Sequence, residues 1–315
     1  MAKTILVTGC TGFIGSNFVK QFKKKYPKVE IIGISTSEHI RNDISLLPVT
    51  LYKGSVTDVA LLEKIFSKHK PEYVFHLAGN ARVGYALEQP TVSTELHVVG
   101  TVAILEASKK HNVKRFIYAS SVAVYGDSKK IPLKESQTPV VHKSPHALQK
   151  YTCEQFCKIF SDSFGLDTVS LRYFQIFGPG QYGYSSVIST WLESMYFPKA
   201  KKAFIEGDGS QSRDFCYIDN VVNANILAMK AKKNFNGDVI NIASGNKVKL
   251  SDIRVMIEKY SGKKLDLDER PARKGEAKDS CADIGKAKEV LGYTPKVEFE
   301  KGLKMTVAWF KERKS

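Results

Sequence analysis

Long apolar runs are what this sequence most plainly lacks. No stretch approaches the roughly 20 residues that a bilayer-spanning helix requires. The opening strand, polar at Lys3 and very early in the chain, does not read as a signal peptide. Cysteine is scarce as well. Cys10, Cys153, Cys157, Cys216 and Cys281 show no metal-type pairing, and only Cys153 and Cys157 share a spacing that puts two on one helical face. Reduced thiols in a cytoplasmic protein are the expectation. Acidic residues are outnumbered, 32 Asp and Glu against 48 Lys and Arg, leaving a formal charge of +16. The excess is mostly lysine, scattered over positions such as Lys20, Lys23, Lys24, Lys25, Lys109, Lys110, Lys230, Lys232 and Lys233. Without an arginine cluster or interleaved aromatics, that pattern is a solvated surface that attracts anions, not a dedicated nucleic-acid site. Internal repeats and low-complexity linkers are missing too.

What is present is an ordinary globular mixture, 43% apolar and 25% charged over 315 residues, long enough for a large core. Apolar strands alternate with amphipathic helices through the first 180 residues. Strands are expected at 5–9, 29–35, 51–52, 73–79, 115–121 and 167–174, and helices at 13–26, 59–68, 92–111 and 145–164. The alternation predicts an α/β fold, a Rossmann-type doubly wound parallel sheet with right-handed crossovers. After Gly178 the rhythm changes, and residues 181–315 are expected to build mainly a smaller C-terminal substrate-binding lobe. Residues near 215–245 are allowed to return to the first domain, 1–180.

The first strand runs into Gly9, Gly12 and Gly15 at a Gly-x-x-Gly-x-x-Gly spacing, followed at once by a helix. Glycine there permits a tight turn and close approach of backbone to a pyrophosphate, which the helix amino terminus attracts. Thr11 adds a hydroxyl at the same place. The second strand ends in Ser35 and Thr36, where a carboxylate normally holds the adenosine ribose. Its absence, with Arg41 nearby in sequence, leaves NAD and NADP both open. Asp58, after Gly54 and Ser55, is a candidate acceptor for the adenine amino group.

Ser121 closes a strand at the carboxyl edge of the sheet, and His146 and Lys150 lie one turn apart on a helix. A sugar hydroxyl held between Ser121 and His146 can lose its proton as hydride leaves the same carbon, with Lys150 binding the nicotinamide ribose. A neutral imidazole, free pKa about 6.5, is the form that would act as base.

Together the segments GCTGFIGS, HLAG, VVGT, SSVAVYG, SPHALQK, LRYFQIFGPGQ and GDGSQSRDF resemble the extended short-chain dehydrogenase/reductases that act on nucleotide sugars. The resemblance covers essentially the whole chain and is greatest to the UDP-glucose and UDP-N-acetylglucosamine 4-epimerases. YSSVI with Trp191 is similar to the N-acetylhexosamine branch. Val122 and Ala123 stand where the 4,6-dehydratases carry Asp and Glu, which argues against dehydration. The resemblance implies a bound NAD that oxidises the sugar at C4 and returns hydride to the other face of a 4-keto intermediate. It implies cofactor contacts from Phe13, Ile14, Val59, Leu77, Ala78, Gly79 and His97, beside those already named. It assigns substrate contacts to Ser121, Gln175, Val187, Arg213 and Arg273, and a homodimer built on helices 92–111 and 147–164. His146 stands at the family's proton-transferring tyrosine, and His97 and Gln175 each replace an asparagine. Because Ser35, His97, His146 and Gln175 depart together, the alternative readings are a sugar-nucleotide-binding paralogue with weakened or no catalysis, or another NAD(P)-dependent nucleotide-sugar oxidoreductase.

Overall fold

The structure is a computed structural model that describes residues 2–36, 49–126, 128, 130–138, 141–183, 186–271 and 278–313. Its centre is a seven-stranded parallel sheet. The strands are β1 (Thr4–Thr8), β2 (Glu30–Ser35), β3 (Thr50–Lys53), β4 (Tyr73–His76), β5 (Arg115–Ser121) and β6 (Thr168–Tyr173), completed by Asp238–Ile242. Across the sheet they run Asp238–Ile242, β6, β5, β4, β1, β2, β3. β1 and β6 are buried along their whole length, as continuous apolar and β-branched runs must be when helices cover both faces. The strand order reverses between β1 and β4, which is where a doubly wound sheet opens a crevice at its carboxyl edge.

Helix α1 (Phe13–Lys25) starts at Gly12 without a side-chain cap, and α2 (Val59–His69) is capped by Asp58, whose Oδ1 accepts from Leu61 N at 2.9 Å. α3 (Val83–Glu88) and α4 (Pro90–Thr94) lead into a π-helical turn over Glu95–Val99, and α5 (Gly100–Lys110) follows. The single helix expected over 92–111 is therefore interrupted by a wider turn. Apolar periodicity does not register such an insertion, because it shifts the face by only one residue. α6 (Pro145–Phe164) has the sequence signals of a long helix: Ser144 caps it by accepting from Ala147 N, Pro145 occupies N1, and Gly165 ends it at φ 71°.

Beyond β6 come α7 (Val187–Tyr196), α8 (Ile218–Lys230), α9 (Leu250–Ser261), α10 (Gly285–Leu291) and α11 (Phe299–Glu312). Short two-stranded ladders pair Ser212–Arg213 with Val248–Lys249 and Ala203–Glu206 with Leu267–Arg270. Asp238–Ile242 joins the main sheet beside β6, and α8 packs on α1 and β5, so this stretch belongs to the main sheet and its covering helices. Among the described residues no helix is long and apolar enough to cross a membrane, and no group of histidine, cysteine and carboxylate side chains is arranged to hold a metal. All five cysteines are free thiols.

Candidate active site

The turn after β1 is shaped by backbone contacts that only glycine allows. Gly9 has φ +64°, and a Cβ there would lie 2.8 Å from the Ala78 Cα in the loop after β4. A Cβ at Gly15 would lie 2.2 Å from the Gly9 carbonyl oxygen. The bare turn and the uncapped α1 amino terminus leave first-turn N–H groups facing the crevice, and this cradle fits a dinucleotide pyrophosphate. Phe13 and Ile14 are the first residues of the helix that provides it.

On the ribose side, Thr11 Oγ1 is 2.5 Å from Ser35 Oγ, so the two hydroxyls bond each other between the glycine turn and the end of β2. Thr36 and Val59 are exposed, as is Asp58, which has one carboxylate oxygen engaged in capping α2. Arg41 lies outside the described residues.

The candidate reaction centre expected from the sequence falls at the end of β5. Ser121, half-buried, accepts from Ala123 N at 3.1 Å, which orients its hydroxyl where the strand turns. His146 and Lys150 are both buried on α6. Lys150 Nζ donates to the Ala119 carbonyl at 2.6 Å and lies 4.8 Å from the centre of the Tyr118 ring. An ammonium has three donors, so this leaves capacity for ribose hydroxyls. Burial pushes Lys150 down to about 8 and His146 down to about 4, the latter helped by the Lys150 charge. At neutral pH His146 is thus the unprotonated base form beside a mostly protonated Lys150. His146 Nδ1 is buried with no hydrogen-bond partner.

A further histidine, the first residue of the HLAG segment, stands behind this pair. His76 ends β4 fully buried, and its neighbours fix its tautomer. The Thr101 hydroxyl spends its proton on the His97 carbonyl at 2.5 Å, so it must accept from His76 Nε2–H at 3.0 Å. His76 Nδ1 then accepts from the Thr8 hydroxyl at 2.8 Å, and Thr8 Oγ1 accepts from Ala78 N at 3.0 Å. This one-directional chain ties β1 and β4 to the π turn. Leu77 and Ala78 form the loop it crosses, and Gly79 at φ +153° lies against His97. Burial, then Lys150, pushes His76 down to about 3.

Behind Ser121, the Glu154 carboxylate accepts from Arg172 Nε at 2.8 Å, Arg172 Nη2 at 2.7 Å and Ser120 Oγ at 2.5 Å. Spacing in the sequence gives no sign of this pair, because it joins a helix to the strand packed beneath it. On the substrate side Gln175 and Val187 are half-buried, at the end of β6 and the first turn of α7. Arg213 Nη1 donates to the Ser212 and Lys278 carbonyls, each at 2.9 Å. Asp214 is an organising carboxylate: fully buried, it accepts from Ser244 N and Oγ, Gly245 N and Ala282 N. Arg273 lies outside the described residues.

A family model described as NAD dependent epimerase/dehydratase family matches residues 5–243. The chain belongs to that family. A UDP-glucose 4-epimerase from Thermotoga maritima, solved with UDP-glucose, superposes with TM-score 0.90 at 35% identity, over 98% of this chain and 99% of that one. A UDP-N-acetylglucosamine 4-epimerase from Methanobrevibacter ruminantium M1, solved with UDP-N-acetylmuramic acid, gives 0.88 at 33% identity over 99% of both. The Bacillus cereus UDP-glucuronic acid 4-epimerase with UDP-glucuronic acid and NAD gives 0.87 at 30% identity, over 98% of this chain and 99% of that one. This family member thus keeps its relatives' length and fold while carrying histidine at 146.

Proposed function

We propose that the protein is an NAD-dependent epimerase that inverts UDP-sugars at C4, with His146 as the proton-transferring group. One juxtaposition carries the reading: Ser121 ends β5, and His146 and Lys150 lie one turn apart on the helix packed against that strand. The full-length likeness to epimerases of UDP-glucose, UDP-N-acetylglucosamine and UDP-glucuronic acid supports the substrate class. Gly9, Gly12, Gly15, Leu77, Ala78 and Gly79 would hold the dinucleotide, with Ser35, Thr36, Asp58 and Val59 toward its adenosine and Lys150 toward its nicotinamide ribose. Gln175, Val187, Arg213 and Arg273 would meet the nucleotide sugar. Bound NAD supplies a hydride acceptor for C4. The chain itself handles the proton. Ser121 orients the C4 hydroxyl, neutral His146 takes its proton as hydride leaves, and the imidazolium returns it once the 4-keto sugar has presented its other face.

Proton NMR of UDP-glucose, UDP-N-acetylglucosamine and UDP-glucuronic acid in heavy water, with NAD present, tests this. C4 inversion of at least one sugar without solvent deuterium at C4 is expected, because hydride and not a solvent proton moves. No inversion of any of them by protein shown to hold NAD would leave the sugar-nucleotide-binding reading in its place.

We also infer a homodimer. Val92 and Val99 on α4 and the π turn are 47% and 52% exposed, and Leu148 and Ile159 on α6 are 53% and 49% exposed. α5 and α6 pack together, so these apolar side chains line neighbouring helices. A second copy of the same helices would cover them by self-complementary packing. Light scattering on the Leu148→Glu protein should give a monomer where the parent gives a dimer; a monomeric parent overturns the inference. The reduced cysteines fit a cytoplasmic setting.

A further inference from the structure

His97 and His146 face each other. Their ring centres are 5.6 Å apart and their planes meet at 79°, an edge-to-face contact between two imidazoles that are each 2% exposed. They come from different elements, the π turn and α6, so the contact is tertiary and has no sequence spacing. The His97 ring is held on its other sides as well. Its Nε2 lies 3.2 Å from Asn80 N and 3.1 Å from Asn80 O, so either neutral tautomer finds a partner. A Cβ on Gly79 would lie 2.6 Å from His97 Cε1, so the ring rests against bare backbone. The His97 carbonyl accepts from Thr101 Oγ1 at 2.5 Å and from Cys153 Sγ at 3.2 Å. The wider turn that offers this residue to α6 is a π segment, a device that concentrates at functional sites. His146, by contrast, has an orphaned Nδ1 and only ring packing to orient it.

We propose that His97 is a positioning residue for His146, the two imidazoles forming one neutral unit in which the fixed ring aims the one that exchanges the proton. The proposal rests on the C4-epimerase reading. The proton balance closes within it: one proton passes from the sugar hydroxyl to His146 as hydride goes to the nicotinamide, and both return. His97 stays neutral throughout, because a second positive charge beside imidazolium and the Lys150 ammonium is disfavoured in a buried site. Lys150 acts on His146 from its own helix and His97 packs against it from the π turn, with Tyr118 of β5 beneath Lys150 and His76 of β4 acting on His97. Burial, then Lys150 and His146, pushes His97 down to about 2, consistent with a ring that never takes the proton.

A double-mutant cycle on full-length, NAD-loaded protein tests this, using His97→Asn, His146→Tyr and the double variant. His97→Asn should lower kcat at least 10-fold with KM and bound NAD within about twofold, and should move the acid limb of the pH–rate profile upward as water reaches His146. A phenol is longer than an imidazole, so His146→Tyr alone meets the His97 ring. The double variant should therefore exceed the product of the single effects by at least 10-fold. Effects that multiply within about twofold, or an unmoved acid limb, overturn the proposal. A loss that follows lost NAD would make His97 a cofactor contact instead. Nitrogen NMR of the His146 imidazole gives a readout independent of turnover. If the parent inverts no sugar, the epimerase reading fails, and an unmoved His146 titration in His97→Asn would separately refute the pairing.

Discussion

Lowering the pH should weaken this fold in a way that identifies its buried histidines. His76, His97 and His146 are held neutral, pushed down to about 3, about 2 and about 4, burial being the largest cause for each. In the unfolded chain each titrates near 6.5. Their folded values are depressed, so below about pH 6.5 the unfolded state binds more protons, and stability falls as pH falls. At about pH 5.5 each neutral ring costs about 1.4 kcal/mol relative to pH 7.5, so the three together remove about 4 kcal/mol. That is a large share of the roughly 5–15 kcal/mol that holds an ordinary domain together. Asp214 and Asp219, both raised by burial, act in the opposite sense. The decisive quantity is therefore a difference between proteins: urea unfolding of the parent and of His97→Asn/His146→Tyr, each at both pH values. Removing two of the three titrating rings should shrink the pH-dependent loss by about 3 kcal/mol. An equal loss in both proteins would refute the assignment of neutral, buried imidazoles at the site.

His146→Ala should lower turnover by roughly 100-fold or more while bound NAD, measured by mass spectrometry of the released nucleotide, stays near the parental amount; parental turnover would remove His146 from proton transfer. Gly15→Ala should instead empty the dinucleotide site, because its Cβ would lie 2.2 Å from the Gly9 carbonyl oxygen; the same nucleotide assay reads it, and full occupancy would show that the turn yields. Glu154→Ala should cost about 3–5 kcal/mol in urea unfolding, since it leaves the Arg172 guanidinium buried without its carboxylate. A cost below about 1 kcal/mol would mean that water, or the Tyr125 ring whose centre lies 4.8 Å from the guanidinium carbon, replaces the pair.

The sheet was legible because its signals are local. A continuous apolar run before Gly9 admits few structures other than a buried strand, and Ser144, Pro145 and Gly165 mark both ends of α6. The proposed reaction centre rests on equally local signals: the carboxyl end of one strand and one turn of one helix place Ser121, His146 and Lys150. What escaped is everything assembled across elements. Glu154 and Arg172 meet between α6 and β6, and the chain from Ala78 N through Thr8 and His76 to Thr101 crosses two strands and a helix. No periodicity links those positions, because a polar residue inside an apolar run looks like an interruption until its partner is known.

The departures at 35, 97 and 146 also change meaning once they are placed in space. Read along the chain, each substitution removes a family residue and argues for decay. In the fold, Ser35 is bonded to Thr11, and His97 packs on both Gly79 and His146. A decaying site has no reason to keep Gly79 bare against an imidazole, or to keep a buried lysine one turn from His146. Random replacement of buried polar residues leaves unsatisfied groups, each costing about 1–3 kcal/mol. Here His76 and His97 are bonded within the described structure, whereas His146 Nδ1 and the Tyr118 hydroxyl are buried without a partner. Bonded and packed imidazoles at 76 and 97, with a buried lysine one turn from His146, favour an altered working centre over a lost one.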